Sequence, residues 1–151
     1  MSKSPEKNLR QELKFVIPAG DRHLALHWIQ HSDAFFYREY PERQVNNIYF
    51  DSYDRDSYLD NLSGTTSRKK TRYRWYGYSS TPVAGALELK YKRNYFNWKW
   101  VHKINKTFYL KNASWNSIRR ELMSLTPPDM RHHLHENPVP VLINRYQRNY
   151  F

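Results

Sequence analysis

The chain has 151 residues, 25 Lys plus Arg against 14 Asp plus Glu, a net charge of +11, and 17% aromatic residues, 13 of them Tyr. That length holds one well-cored domain, and the charge calls for an anionic partner: nucleic acid, an anionic membrane surface, or a phosphorylated small molecule or polymer. The lack of Cys excludes disulfides and thiolate metal sites, and no apolar run reaches the ~18 residues of a membrane helix or forms a signal core at the N-terminus.

The cytoplasm, or the cytoplasmic side of a membrane complex, is the expected compartment. Residues 1–8 read as a polar tail. From Leu9 to Ile17 the chain alternates: Leu9, Leu13, Phe15 and Ile17 point one way, Arg10, Glu12 and Lys14 the other. This predicts a first strand, stopped by Pro18. Gly20 or Asp21 then caps a helix running to about His31, with Leu24, Ala25, Trp28 and Ile29 on one face. Val45 to Phe50 reads as a second strand, followed by a helical turn after Asp54 that Gly64 breaks. Arg68 to Tyr76 is a third strand, followed by a loop to Gly85. Ala86 to Lys92 and Phe96 to Lys103 form a hairpin through Arg93, Asn94 and Tyr95. Ser114 to Leu125 has Trp115, Ile118, Leu122 and Leu125 at helix spacing. Thr126 to Pro140 reads as a Pro- and His-rich connection, and Val141 to Phe151 as a last strand. The chain stops inside that strand, which leads to the expectation of a truncated domain.

The charges are not scattered. In the third strand Arg68, Lys70, Arg72 and Arg74 share one face, opposite Lys69, Thr71, Tyr73 and Trp75. In the fourth, Glu88, Lys90 and Lys92 oppose Leu87, Leu89 and Tyr91. Lys99 and Lys103 share a face in the fifth, and Asn144, Tyr146 and Arg148 in the last. One reading is a solvated outer face, since charged rows usually meet water. The other is a set of faces converging on a polyanion. The rows mostly lack interleaved acids, so cross-strand neighbours repel one another unless an anion sits among them. Arg offers bidentate bonds to phosphate and Lys a point charge.

Three other features have simpler readings. His132, His133 and His135 match no standard metal-ligand spacing and lie in a loop-like segment. Trp75, Trp98, Trp100 and Trp115 read as core rather than as platforms for bases. Asp51, Asp54 and Asp56 read as turn and capping residues rather than cation ligands.

The segments LRQELKFVI, VNNIYFDSYDRDSYLDNLSG, RKKTRYRWYG, LELKYKRN and INRYQRNYF resemble, in this order, a vacuolar transporter chaperone (VTC) domain of the CYTH-like triphosphate tunnel superfamily. The resemblance spans Leu9 to Phe151, and Val45 to Gly77 is its most specific part. It implies an α+β fold: an eight-strand antiparallel β-tunnel with a basic lumen, of which this chain holds the N-terminal portion. It implies synthesis of inorganic polyphosphate from a nucleoside triphosphate with a divalent metal, Mn or Mg. By position, Lys14, Arg72, Arg74, Lys90, Lys99, Tyr146 and Arg148 match the family's basic motifs. Arg72, Arg74, Lys90, Tyr146 and Arg148 are then the expected catalytic set. Lys14, Arg10, Lys70, Lys92, Lys99 and Lys103 are the expected phosphate-binding set, with Glu12 and Glu88 as weak metal candidates. The tunnel triphosphatases carry Glu-x-Glu-x-Lys in the first strand; Arg10 in place of the first Glu leans toward the polymerase branch. The family's metal-binding acid is expected on strands that follow this chain. Two rival readings are a non-catalytic polyphosphate sensor on the same fold and a nucleic-acid binder, the latter disfavoured because no nucleic-acid motif is present. Association with a membrane complex or an oligomer is a further expectation.

Overall fold

The computed structural model describes residues 12–78, 84–107 and 113–151. Its centre is a five-stranded, fully antiparallel sheet in the order β4-β3-β2-β1-β5. The strands are β1 (Arg43–Asp51), β2 (Ser67–Tyr76), β3 (Gly85–Arg93), β4 (Phe96–Ile104) and β5 (Val139–Arg148). Among the described residues four α-helices accompany them: α1 (Arg22–Gln30), α2 (Asp56–Leu62), α3 (Trp115–Leu125) and α4 (Pro128–Glu136). The class is α+β, as expected. An open sheet of this kind is consistent with the tunnel fold, but it is not a closed barrel.

The two sheet faces differ as the alternation predicts. One carries Ile48, Phe50, Tyr73, Trp75, Leu87 and Leu89, which join Ile104 and the helix residues Ile118, Leu122, Met130 and Leu134 in a single core cluster. Helices α3 and α4 therefore cover this face. Ser114 starts α3 as a cap, its Oγ accepting from the Ser117 N–H at 3.2 Å. Gly85 is required where β3 begins: a Cβ there would lie 2.5 Å from the Arg74 carbonyl and 2.6 Å from the Tyr73 ring. Asn94, in the hairpin between β3 and β4, takes φ 54°, a conformation that Asn tolerates better than most residues.

The strand β1 is buried along most of its length, with Asn46 and Asn47 as inaccessible as Val45 and Ile48. Buried amides need partners. Asn46 and Gln44 donate to the Gly77 carbonyl at 2.9 and 3.1 Å, and Asn47 donates to Asn144 at 2.7 Å. The buried Asp51 carboxylate accepts from the N–H groups of Ser52, Ser57 and Tyr58 at 2.9–3.0 Å. It thereby anchors the first turn of α2, the capping role expected of it. Gly64, at φ 74°, ends the same helix.

Three expectations need correction. Residues 12–18 form no strand, although the alternation is real. Leu13, Phe15 and Val16 stand more than 80% exposed, so this segment has neither the ladder partner nor the covering layer that a strand requires; Leu9 and Arg10 lie outside the described residues. The connection from Thr126 to Pro140 contains α4, which starts at Pro128, where a fixed φ and a missing N–H are both favourable. Its His and Pro content hid a buried stripe of Met130, His133 and Leu134. The last strand occupies 139–148 rather than 141–151. Helix α1 forms where expected, but its apolar face meets no core: Trp28 is 74% exposed.

Candidate phosphate-binding site

The register aligns the basic residues across the face opposite α3 and α4. Lys70 of β2 pairs with Lys90 of β3, and Lys90 pairs with Lys99 of β4. Arg68 pairs with Lys92, and Arg72 with Glu88. Lysines on three adjacent strands in one row is an arrangement that costs free energy through like-charge repulsion in the empty protein.

Beside this row lies a cleft of about 300 Å³ lined by Glu12, Lys14, Asn61, Arg68, Lys70, Lys90, Lys92 and Asn97. Strands β2 and β3 form its floor. One wall is α2, whose Asn61 accepts from Lys70 Nζ at 2.9 Å. The other is the segment at Glu12 and Lys14, tied to β3 by Lys90 Nζ, which donates to Glu12 at 3.1 Å; Lys14 pairs with the same Glu12 at 3.6 Å. Five cations thus meet one carboxylate. Burial lowers the Lys70 pKa, and the neighbouring charges of Arg68, Lys90 and Lys14 lower it further. A bound anion would reverse that effect.

Further along the same face the cations are already engaged. The Arg72 Nε and Nη2 both donate to Glu88 Oε2, at 2.8 and 2.6 Å, and its Nη1 donates to the Tyr49 hydroxyl at 3.2 Å. Burial alone would lower the Arg72 pKa; Glu88 and Tyr49 outweigh it and raise the pKa. Arg74 donates to Asn47 at 2.8 Å and to the Tyr146 hydroxyl at 3.3 Å. The structure therefore splits the expected set. Lys14, Lys70, Lys90 and Lys92 gather in the cleft. Arg72, Arg74 and Tyr146 form a bonded row on the same face. Lys99 and Lys103 are exposed on β4, and Arg148 lies opposite Arg43 at the far end of β5, its guanidinium 5.2 Å from the Tyr150 ring. Arg10 lies outside the described residues. Arg68, Asn61 and Asn97 line the cleft without having been singled out as site residues. For Arg68, its place in the basic row was a signal; for the two asparagines the sequence held none.

Glu12 and Glu88, the candidate metal ligands, are each ion-paired: Glu12 to Lys14 and Lys90, Glu88 to Arg72. Hard divalent cations require several oxygens converging on one point. Neither carboxylate forms such a set with another acid among the described residues, so the groups present do not by themselves make a manganese or magnesium site. The described aromatic side chains do not line the cleft. Trp75 is buried in the core and Trp98 stacks on Tyr91 at 5.3 Å, so neither offers a base-stacking platform there.

An open antiparallel sheet with one helix-covered face and one basic, clefted face makes this an α+β domain with its cations gathered on one side. A family model described as the VTC domain matches residues 9–151, and the chain belongs to this family. Membership is consistent with a polyphosphate-related function. No curated protein matches the chain. Among the described residues no helix is long and apolar enough to cross a membrane.

Proposed function

We propose that this chain binds the phosphate chain of inorganic polyphosphate or a nucleoside triphosphate in the cleft over β2 and β3. In the complete tunnel it would support phosphoryl transfer to the end of a growing polyphosphate, on the cytoplasmic side. The observation that supports this reading is the convergence of Lys14, Arg68, Lys70, Lys90 and Lys92 on one cleft with a single carboxylate among them. Phosphoryl transfer needs chiefly positioning and neutralisation of charge on the phosphate oxygens. Lys70, Lys90 and Lys92 would neutralise the bound phosphates, with Lys14 closing over them from the wall. Arg72 and Arg74, with Tyr146 beside them, would continue the row, provided that Glu88 and Asn47 release donors to the ligand. Arg148, Lys99 and Lys103 would extend the basic track toward the sheet edges. Manganese or magnesium would come with the nucleotide's own phosphates.

A second reading, a non-catalytic polyphosphate-binding module, is favoured by one observation: Glu12 and Glu88, the candidate metal ligands, are taken up in ion pairs. Calorimetric titration with tripolyphosphate, beside a charge-matched oligonucleotide at physiological salt, tests the shared core of both readings. Saturable tripolyphosphate binding that weakens at least tenfold in Lys70→Ala or Lys90→Ala, with the oligonucleotide weaker, is the expected result. Preference for the oligonucleotide, or affinity indifferent to both substitutions, would overturn it.

A further inference from the structure

On the helix-covered face, away from the phosphate cleft, α4 carries a group of side chains to which the proposed function gives no role. His132, His133 and Glu136 bring two imidazole nitrogens and a carboxylate oxygen within 4.8 Å of one another. The His132 and His133 rings lie in contact, their centroids 3.8 Å apart. His133 is 7% exposed, and its two nitrogens differ. Its Nε2 lies 3.0 Å from the Tyr91 hydroxyl, whereas its Nδ1 is buried without a hydrogen-bond partner and faces Glu136 Oε2 at 3.4 Å.

We propose that His132, His133 and Glu136 form a binding site for a divalent transition-metal ion, with zinc as the fitting member of that class. Imidazole and carboxylate are zinc's usual nitrogen and oxygen ligands, at about 2.0–2.2 Å. Two ligand atoms on a tetrahedral centre at that distance stand roughly 3.4 Å apart, which is the separation of His133 Nδ1 and Glu136 Oε2. Tyr91 supplies the outer contact. When His133 Nε2–H donates to the Tyr91 oxygen, the Nδ1 lone pair is left bare and aimed at Glu136. Water would complete the coordination at the exposed side of the helix. Lys69 donates to the same Glu136 oxygen at 2.5 Å. Its positive charge competes with a metal for that carboxylate and makes the site weak and exchangeable. An occupied site would pin α4 to Tyr91 of β3 and stiffen the layer behind the cleft.

The test is a zinc titration of the full chain, read by competition with a chromophoric chelator in phosphate-free buffer, and repeated with cobalt to read its visible absorption. One ion per chain is expected. His132→Ala and Glu136→Gln alter exposed positions that should leave the fold intact, and each should weaken binding at least tenfold. Lys69→Gln should tighten it several-fold by removing the competing charge, and His135→Ala should leave it unchanged. Absence of binding, indifference to Glu136→Gln, or loss on replacing His27 and His31, which form a separate imidazole pair at the C-terminal end of α1 at 4.1 Å, would overturn the proposal.

Discussion

Arg72 illustrates how a residue on the basic face serves the fold before it serves a ligand. Its ion pair with Glu88 leaves only 14% and 6% of the two side chains accessible. Removing the cation alone strands a buried carboxylate, which typically costs about 3–5 kcal/mol. Arg72→Ala should therefore lower stability by about that amount in urea unfolding, and Arg72→Met combined with Glu88→Leu should recover most of it. Additive losses in the double variant would show that the pair is not coupled. Any phosphate assay of Arg72→Ala must be read beside that cost, with the exposed Arg120 as a neutral control. Lys70 is a different case. Burial and its cationic neighbours hold its pKa below the ordinary lysine range in the free protein, whereas bound phosphate favours the charged form. Binding thus takes up a proton near the depressed pKa, and affinity should fall as pH rises through it, below the pH at which an ordinary lysine deprotonates. Calorimetry across the alkaline range should show this fall, and Lys70→Arg, which stays charged, should shift the limb upward.

At the scale of elements, the helices divide by how they are held. Helix α2 is short and has no buried residue, so its place depends on the Asp51 carboxylate, which accepts from the Ser57 and Tyr58 N–H groups, and on the Ser52 hydroxyl, which accepts from the Asp56 N–H. Asp51→Ala should cost about 1–3 kcal/mol, and it should also weaken tripolyphosphate binding, because α2 carries Asn61 to the cleft wall. Unchanged affinity in a folded Asp51→Ala protein would mean that this wall plays no part. Helix α4 is held instead by packing. Leu134 is fully buried, and Leu134→Ala should cost about 2–5 kcal/mol in chemical denaturation. The alternation of β2 and β3 was fully legible in the sequence, since Tyr73 against Arg72 and Leu89 against Lys90 mark the two faces residue by residue. The α4 helix was not, because His and Pro dominate its composition and its apolar stripe is only two residues wide. The segment at residues 12–17 shows the opposite error: its pattern suits a strand, but a strand exists only where another strand lies beside it.

For the molecule as a whole, charge is the dominant variable. A chain of net charge +11 with cations crowded on one sheet face carries internal repulsion that a polyanion relieves. Tripolyphosphate at about 100 times its Kd should stabilise the fold by about 2.7 kcal/mol, visible as a raised Tm, and added salt should erode the gain. A Tm insensitive to tripolyphosphate would count against the cleft as a binding site. The sheet is open at β4 and β5 among the described residues, and β5 leaves Leu142 and Ile143 about half exposed. Barrel closure is therefore not a property of these five strands.

By itself the sequence determined the net positive charge, the positions of β1 to β4, the capping role of Asp51 and which side of each strand is basic. Composition and the two-residue period of a strand fix those things locally, and they hold wherever the strand comes to lie. Only the tertiary structure decided which cations meet. Strand order and register put Lys70, Lys90 and Lys99 in one row, the turn into α2 brought Asn61 to the cleft, and pairing with Glu88 took Arg72 out of immediate reach of a ligand. Those choices depend on contacts between residues far apart in the chain, which no local pattern encodes.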